Sequence, residues 1–154
     1  MKTEKNKNKE TIDLGNISQI ILFKLYNEMF SFRIDKISEI QELMNIIRVP
    51  NADDYIEGII NLRGEVITII NIKKKLGLDD TSIPPKSMII VAEFPTMRVG
   101  MLVDAVKEVK NIYERDIEPA PKLVAGISTD FLEGIGKVDN EPVIILDLNK
   151  ILEV

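Results

Sequence analysis

Two adjacent carboxylate pairs, Asp53-Asp54 and Asp79-Asp80, are the first groups in this 154-residue chain whose type invites a catalytic reading. Paired carboxyls can run general acid–base hydrolysis when they flank a substrate from two sides, roughly 5–9.5 Å apart. Sequence neighbours on one loop rarely reach that arrangement. Acids at the first turn of a helix, where its dipole favours them, account for the first pair, and a polar turn accounts for the second. The chain has no His and no Cys. Thiol chemistry, disulfides, the usual zinc sites and imidazole acid–base catalysis are therefore closed to it. Its glycines form no phosphate-cradling loop, and Gly134-Ile135-Gly136 precedes a strand rather than a helix. A Ser or Thr nucleophile would need a Lys or amine base, and nothing marks such a pair. The group that stands out is a cation. Arg63, in the stretch Asn61-Leu62-Arg63-Gly64, is placed at a turn, where its planar guanidinium can grip a carboxylate. On the residues alone, an arginine that solvates a hairpin tip is the simpler reading, and recognition of a partner is the other. Gly64 is expected to supply the backbone conformation of the turn.

The elements that present Arg63 occur twice. Residues 55–76 (YIEGIINLRGEVITIINIKKKL) align without a gap on residues 131–152 (FLEGIGKVDNEPVIILDLNKIL), with seven identities. Such a repeat sets the architecture before any single residue does. Each copy reads as a hairpin followed by a brief helix. Gly58 and Gly134 are read as serving backbone geometry between a short helical turn and the first strand, with Asn51 capping that turn through Tyr55. Gly77 is placed to end the helix after residues 72–76. Two hairpin-like runs precede the first copy, QIILFKLY and MFSFRI, joined at Asn27-Glu28, and a strand follows around Ile37–Leu43. MIIVAEF, MRVGMLV and AVKEVKNIY precede the second copy. Phe30–Ile40 corresponds weakly to Val99–Val109, at an offset of 69 rather than 76, matching Asp35 with Asp104 and Glu39 with Glu108.

Apolar residues are 45% of the chain and aromatics only 5%, so the core is aliphatic and suits strands. Short strands favour closure into barrels, which removes exposed edges. Units this small bury little alone, so two should pack over a shared layer. The expected organisation is a flexible tail over residues 1–18 and a domain over residues 19–154. Its first barrel is placed roughly at 19–80 and its second roughly at 86–154. The net charge of −5 argues against a nucleic-acid partner. No apolar run is long enough for membrane insertion, the N-terminus lacks a secretory signal, and a cytoplasmic location is expected.

The landmarks FRID (Phe32–Asp35), ISEI (Ile37–Ile40), VPNADDYIEGIINLRGEVITIINIKKKLG (Val49–Gly77), VGMLVDAVKEV (Val99–Val109) and EGIGKVDNEPVIILDLNKIL (Glu133–Leu152) lie in an order and spacing that resemble the CheW family, the coupling proteins of bacterial chemosensory arrays. The resemblance covers Gln19 to Leu152. It implies an all-β fold of two five-stranded SH3-like β-barrels packed together, with short helical turns and a groove between the barrels. It implies no catalytic activity and no cofactor. The implied partners are the regulatory domain of the histidine kinase CheA and the cytoplasmic tip of methyl-accepting chemotaxis receptors, at whose arrays the protein would be recruited. Arg63 matches an arginine of the family's receptor-binding surface, flanked by Asn61 and Leu62. Glu39 matches a position implicated in partner binding, and Ile37, Val99 and Val103 are candidates for lining the groove. Asn71 stands where the family often has Asp, a change expected to be confined to a turn. A stand-alone adaptor is expected rather than a CheW-like regulatory module of another signalling kinase. A small hydrolase using the Asp pairs is the alternative of another class.

Overall fold

Hairpins with two-residue loops build most of the molecule. The computed structural model describes residues 16–153, with Leu123 through its backbone alone. The expected flexible tail therefore lies largely outside the described residues. Its last two positions do not belong to it, because β1 spans Ile17–Leu25. β1 turns through Tyr26-Asn27, one residue earlier than the sequence predicts, into β2 (Glu28–Arg33). β3 (Ile37–Glu42), β4 (Ile56–Leu62) and β5 (Glu65–Asn71) follow. After the short helix α1 (Ile72–Lys75) come β6 (Met88–Phe94), β7 (Met97–Val103) and β8 (Ala105–Tyr113). A small pair, β9 (Leu123–Val124) and β10 (Ile127–Ser128), lies in the stretch that leads to the second copy of the repeat. β11 (Leu132–Val138), β12 (Glu141–Leu146) and α2 (Leu148–Leu152) complete the chain.

The strands form two five-stranded sheets, ordered β11-β12-β2-β1-β8 and β3-β6-β7-β5-β4. Each is an SH3-like barrel, as the family resemblance implies, but the barrels are not the two halves of the chain. β1 and β2 lie beside β8 and β12, and β6 and β7 lie beside β3 and β5. The expected division at 19–80 and 86–154 is thus corrected: each barrel takes two strands from one half and three from the other. The reason lies in the links. One residue, Asp104, separates β7 from β8, too few for a hairpin loop. A single 3-10 turn, Ile34–Lys36, separates β2 from β3. At both places the chain runs on into the other sheet. β2 then pairs with β12 in parallel, Phe30 opposite Ile144, and β5 pairs with β7 in parallel, Thr68 opposite Val99.

The exchange produces three apolar layers. Ile20, Leu22, Ile112, Val143 and Ile145 fill one barrel, and Ile60, Leu62, Ile67, Ile69, Ile89, Val91 and Leu102 fill the other. The third layer draws on both sheets, with Phe23, Phe30 and Phe32 from one and Ile70, Ile90, Met101 and Val103 from the other. Strand alternation explains the division, since β6 sends Ile89 and Val91 inward and Ile90 and Ala92 to the shared layer. The rings of Phe23 and Phe32 lie 4.8 Å apart at 30°, a favourable tilted contact.

Gly58 has the special backbone geometry expected of it, with a φ of 148°, but Gly134 does not, and both have a further reason. No helix forms over residues 52–55, and Asn51 adopts a left-handed φ of 62°. Instead, a crossing segment approaches each glycine. A Cβ on Gly58 would lie 2.1 Å from the Ile47 carbonyl oxygen, and one on Gly134 would lie 2.5 Å from that of Glu118. Ile59 and Ile47 exchange hydrogen bonds of 2.8 Å, and Ile135 and Glu118 do likewise at 2.8 and 2.9 Å. The repeat extends to the helix caps. Asn71 accepts from the Lys74 amide, and Asp147 accepts from the Lys150 amide. Asn71 also donates to Glu57 Oε1 and to the Thr81 carbonyl, which an aspartate could not do.

A buried ion pair closes the crossing at Asp104. Lys73 Nζ lies 2.7 Å from Asp104 Oδ1, with side-chain exposures of 5% and 15%. Asp104 Oδ2 accepts from the Tyr26 amide at 2.7 Å, and Lys73 Nζ sits 4.6 Å from the centre of the Tyr26 ring. Lys73 also donates to the Ser82 carbonyl at 3.0 Å. Asp104→Ala leaves this ammonium buried and unpaired, and should lower the unfolding free energy by about 3–5 kcal/mol. Urea denaturation measures this, and a loss below about 1 kcal/mol, the scale of an exposed pair, would contradict the clasp.

Candidate functional site

The β4–β5 hairpin places Arg63 at its tip. Two residues join the strands, and both adopt positive φ, 51° at Arg63 and 84° at Gly64. Glycine meets that requirement at no steric cost. The Gly64 amide donates to Asn61 Oδ1 at 2.8 Å, so Asn61 holds the turn. Arg63 leaves the turn with its side chain 65% exposed.

β3 carries Glu39 and Gln41 on one face, two residues apart. Arg63 Nη2 donates to both Glu39 oxygens, at 2.8 Å to Oε1 and 2.7 Å to Oε2. Gln41 Nε2 donates to Glu39 Oε1 at 2.5 Å. A second arginine joins from β7. Arg98 Nη2 donates to Glu39 Oε2 at 2.9 Å, and its Nη1 donates to Glu65 Oε2 at 2.6 Å. Arg98 Nε faces Glu93 at 3.6 Å, beyond hydrogen-bond range. Its side chain is 17% exposed. The four strands β3, β5, β6 and β7 thus converge three carboxylates on one half-buried arginine, and the exposed Arg63 completes the cluster. These bonds hold the Glu39 carboxyl at about 2, well below its ordinary 4.5, chiefly through Arg63 and then through Gln41.

Among the sequence candidates, the structure brings Arg63 and Glu39 together and leaves Asn61 exposed beside them in a turn-holding role. Leu62, Val99 and Val103 are corrected. At 5%, 3% and 1% exposure they present nothing to a partner. Leu62 points inside its barrel, while Val99 and Val103 alternate into the shared layer. Ile37 is half-buried against that same layer. Arg98 was missed. Its signal was a lone cation in the apolar strand MRVGMLV, which demanded carboxylates, but only the strand register could say which ones.

The equivalent place on the other barrel is built differently. Asp139 and Asn140 take the turn, with φ of 50° and 65°. Lys110 Nζ lies 3.5 Å from Asp139 and 3.4 Å from Glu108, the counterpart of Glu39. Below it, Arg33 donates to Glu114 and Glu133 at 2.5 and 2.6 Å, and this holds the Glu114 carboxyl at about 2.

The paired carboxylates serve their loops. Asp53 Oδ2 accepts from the Tyr55 hydroxyl, and Asp80 Oδ1 accepts from the Ser82 amide and hydroxyl. Among the described residues no group of three or more His, Cys, Asp or Glu side chains could hold a metal ion. No helix among them is long and apolar enough to cross a membrane.

Glu39 and Glu114 fix a pH dependence. Each folded carboxyl sits near 2 against an ordinary 4.5. Their stabilisation is therefore present above about pH 4.5 and is lost as pH falls towards 2. Urea midpoints over that window should fall in the wild type and fall less steeply in Glu39→Gln/Glu114→Gln. Parallel slopes would mean that neither ion pair persists in solution.

A model of the CheW-like domain family matches residues 19–154. The chain is 31% identical over 134 residues to the chemotaxis protein CheW of Klebsiella aerogenes, which spans 87% of this chain and 81% of that one. It is 33% identical over 138 residues to the CheW of Thermotoga maritima, covering 88% and 87%. The crystal structure of the scaffolding protein TtCheW from Thermoanaerobacter tengcongensis matches with a TM-score of 0.80 at 38% identity, over 89% of this chain and 93% of that one.

Proposed function

The chain belongs to the CheW family, the non-catalytic scaffolds of bacterial chemotaxis, and on that footing we propose that it couples chemoreceptors to the histidine kinase CheA. In this reading it is cytoplasmic and is recruited to receptor arrays at the membrane. One face takes the cytoplasmic tip of a methyl-accepting receptor, and the barrels associate with the regulatory domain of the kinase.

The observation that carries the reading is Arg63. It is a mostly exposed guanidinium on a rigid hairpin tip, with a single nitrogen engaged by Glu39 among the described residues. An exposed ion pair of this kind adds little to stability, so its value lies in recognition. Its fork matches a carboxylate in a planar, bidentate way. The modest single contact suits an array, where many weak contacts act together.

The test is calorimetric titration of the protein against a receptor-tip fragment and, separately, against a CheA regulatory domain. Both should bind at tens of micromolar or tighter, about 6 kcal/mol or more. Arg63→Glu should weaken the receptor fragment at least tenfold and leave kinase binding and the thermal midpoint nearly unchanged. Equal loss of both partners would instead make Arg63 a structural residue, and absence of both in the wild type would end the coupling reading.

A further inference from the structure

Arg98 and Arg63 share one acceptor. Both reach Glu39 Oε2, Arg63 at 2.7 Å and Arg98 at 2.9 Å. They differ in freedom, since Arg98 is 17% exposed and Arg63 is 65% exposed. Arg98 is also fixed from elsewhere, by Glu65 at 2.6 Å and the Ser38 hydroxyl at 3.4 Å. It lies in β7, hydrogen-bonded to β6 on one side and β5 on the other, so its backbone cannot drift. The second Glu39 oxygen has its own donor in Gln41, at 2.5 Å.

These contacts have a consequence for any partner that takes Arg63. If Arg63 swings away, Glu39 keeps one donor on each oxygen, Gln41 on Oε1 and Arg98 on Oε2. No half-buried carboxylate is left uncompensated, which would otherwise oppose the exchange by the cost of an orphaned acceptor. The other barrel lacks the device. At the offset of 69 residues the counterpart of Arg98 is Met29, and its hairpin tip carries Asp139 in place of an arginine.

We propose that Arg98 is the positioning residue of this surface: it holds Glu39 in place and ion-paired independently of Arg63, and so releases Arg63 to an acidic side chain of a protein partner. This deepens the coupling reading and rests on it for the partner's identity. Arg98 need not touch the partner. It sets how readily Arg63 changes from an internal carboxylate to an external one.

Two measurements test it together. The first titrates the Glu39 side-chain carboxyl by carbon-detected NMR in the wild type, Arg63→Ala, Arg98→Met, Arg98→Lys and Arg63→Ala/Arg98→Met. In Arg63→Ala the carboxyl should still ionise below its ordinary value, and in Arg63→Ala/Arg98→Met it should move back up towards that value, with only the Gln41 donor left to hold it down. An ordinary value in Arg63→Ala alone overturns the proposal, because Arg98 would then not be holding Glu39. The second measures binding of a receptor-tip fragment by calorimetry. Arg98→Met should weaken it about tenfold, the scale of one charge-assisted hydrogen bond, and Arg98→Lys should recover most of the loss. Unaltered binding in Arg98→Met beside a wild type that binds overturns the proposal and leaves the coupling reading standing. A wild type that does not bind, with the Glu39 titrations as expected, removes the coupling reading while the positioning of Glu39 stands. Matching circular dichroism and thermal midpoints for Arg98→Met and Arg98→Lys separate a positioning effect from misfolding, and a collapse of both variants would make Arg98 a folding residue and overturn the proposal.

Discussion

Asp104 alone joins β7 to β8, and the 3-10 turn Ile34–Lys36 alone joins β2 to β3. A strand that leaves through so short a link cannot fold back beside its predecessor. It must continue into the second sheet, and this happens once in each direction. Each barrel is therefore completed by strands from the other half of the chain. The shared aliphatic layer follows from this, because strands that belong to both halves carry apolar side chains towards a common middle. The Lys73–Asp104 pair sits at the crossing for the same reason. At this point α1, the β1–β2 turn and the β7–β8 junction meet, and their polar groups must be satisfied out of water.

The same exchange assembles the network around Glu39. Glu39 comes from an edge strand of the second sheet, Arg63 from a hairpin of that sheet, and Arg98 from a strand contributed by the other half of the chain. Had each half closed upon itself, β7 would not lie beside β5 and Arg98 would have no route to Glu65. The network is thus a product of the swapped topology. Its worth to stability is small, as exposed and half-exposed ion pairs generally are, and this fits its proposed use in recognition. The corresponding region of the other barrel keeps the strand framework and replaces the charges, with Lys110 set between two acids.

Much of this was legible in advance because periodicity and turn chemistry are local. The Arg63-Gly64 hairpin, the helix over Ile72–Lys75 and the second copy of both appear where the pattern places them. The weak correspondence of Asp35 with Asp104 and Glu39 with Glu108 also holds in three dimensions, since β2 and β7 occupy the same place in the two sheets. The failures share a cause. Val99 and Val103 were candidates for a groove because an apolar strand residue looks the same whether it faces a partner or a core. The short helix after Asn51 was expected from a capping residue, yet the segment makes only a turn, in which the Ile56 amide donates to the Asp53 carbonyl and the Tyr55 carbonyl accepts from the Asn71 amide of β5. Gly58 and Gly134 were rightly singled out, but the carbonyls that crowd them belong to Ile47 and Glu118, in loop segments that reach β4 and β11 only in the folded chain.

The sequence by itself determined the strands, their hairpins and the two-fold repetition, together with an arginine exposed at one tip and an acid at the other. Those are properties of residues within a few positions of one another. Only the tertiary structure decided which copy each strand completes, since two similar repeats present nearly the same apolar faces and either pairing would satisfy the pattern. It also decided that Glu39 is held by three donors rather than one. Arg98 lies 59 positions from Glu39 along the chain, and nothing but the register of β3 on β6 and β6 on β7 brings them within a hydrogen bond.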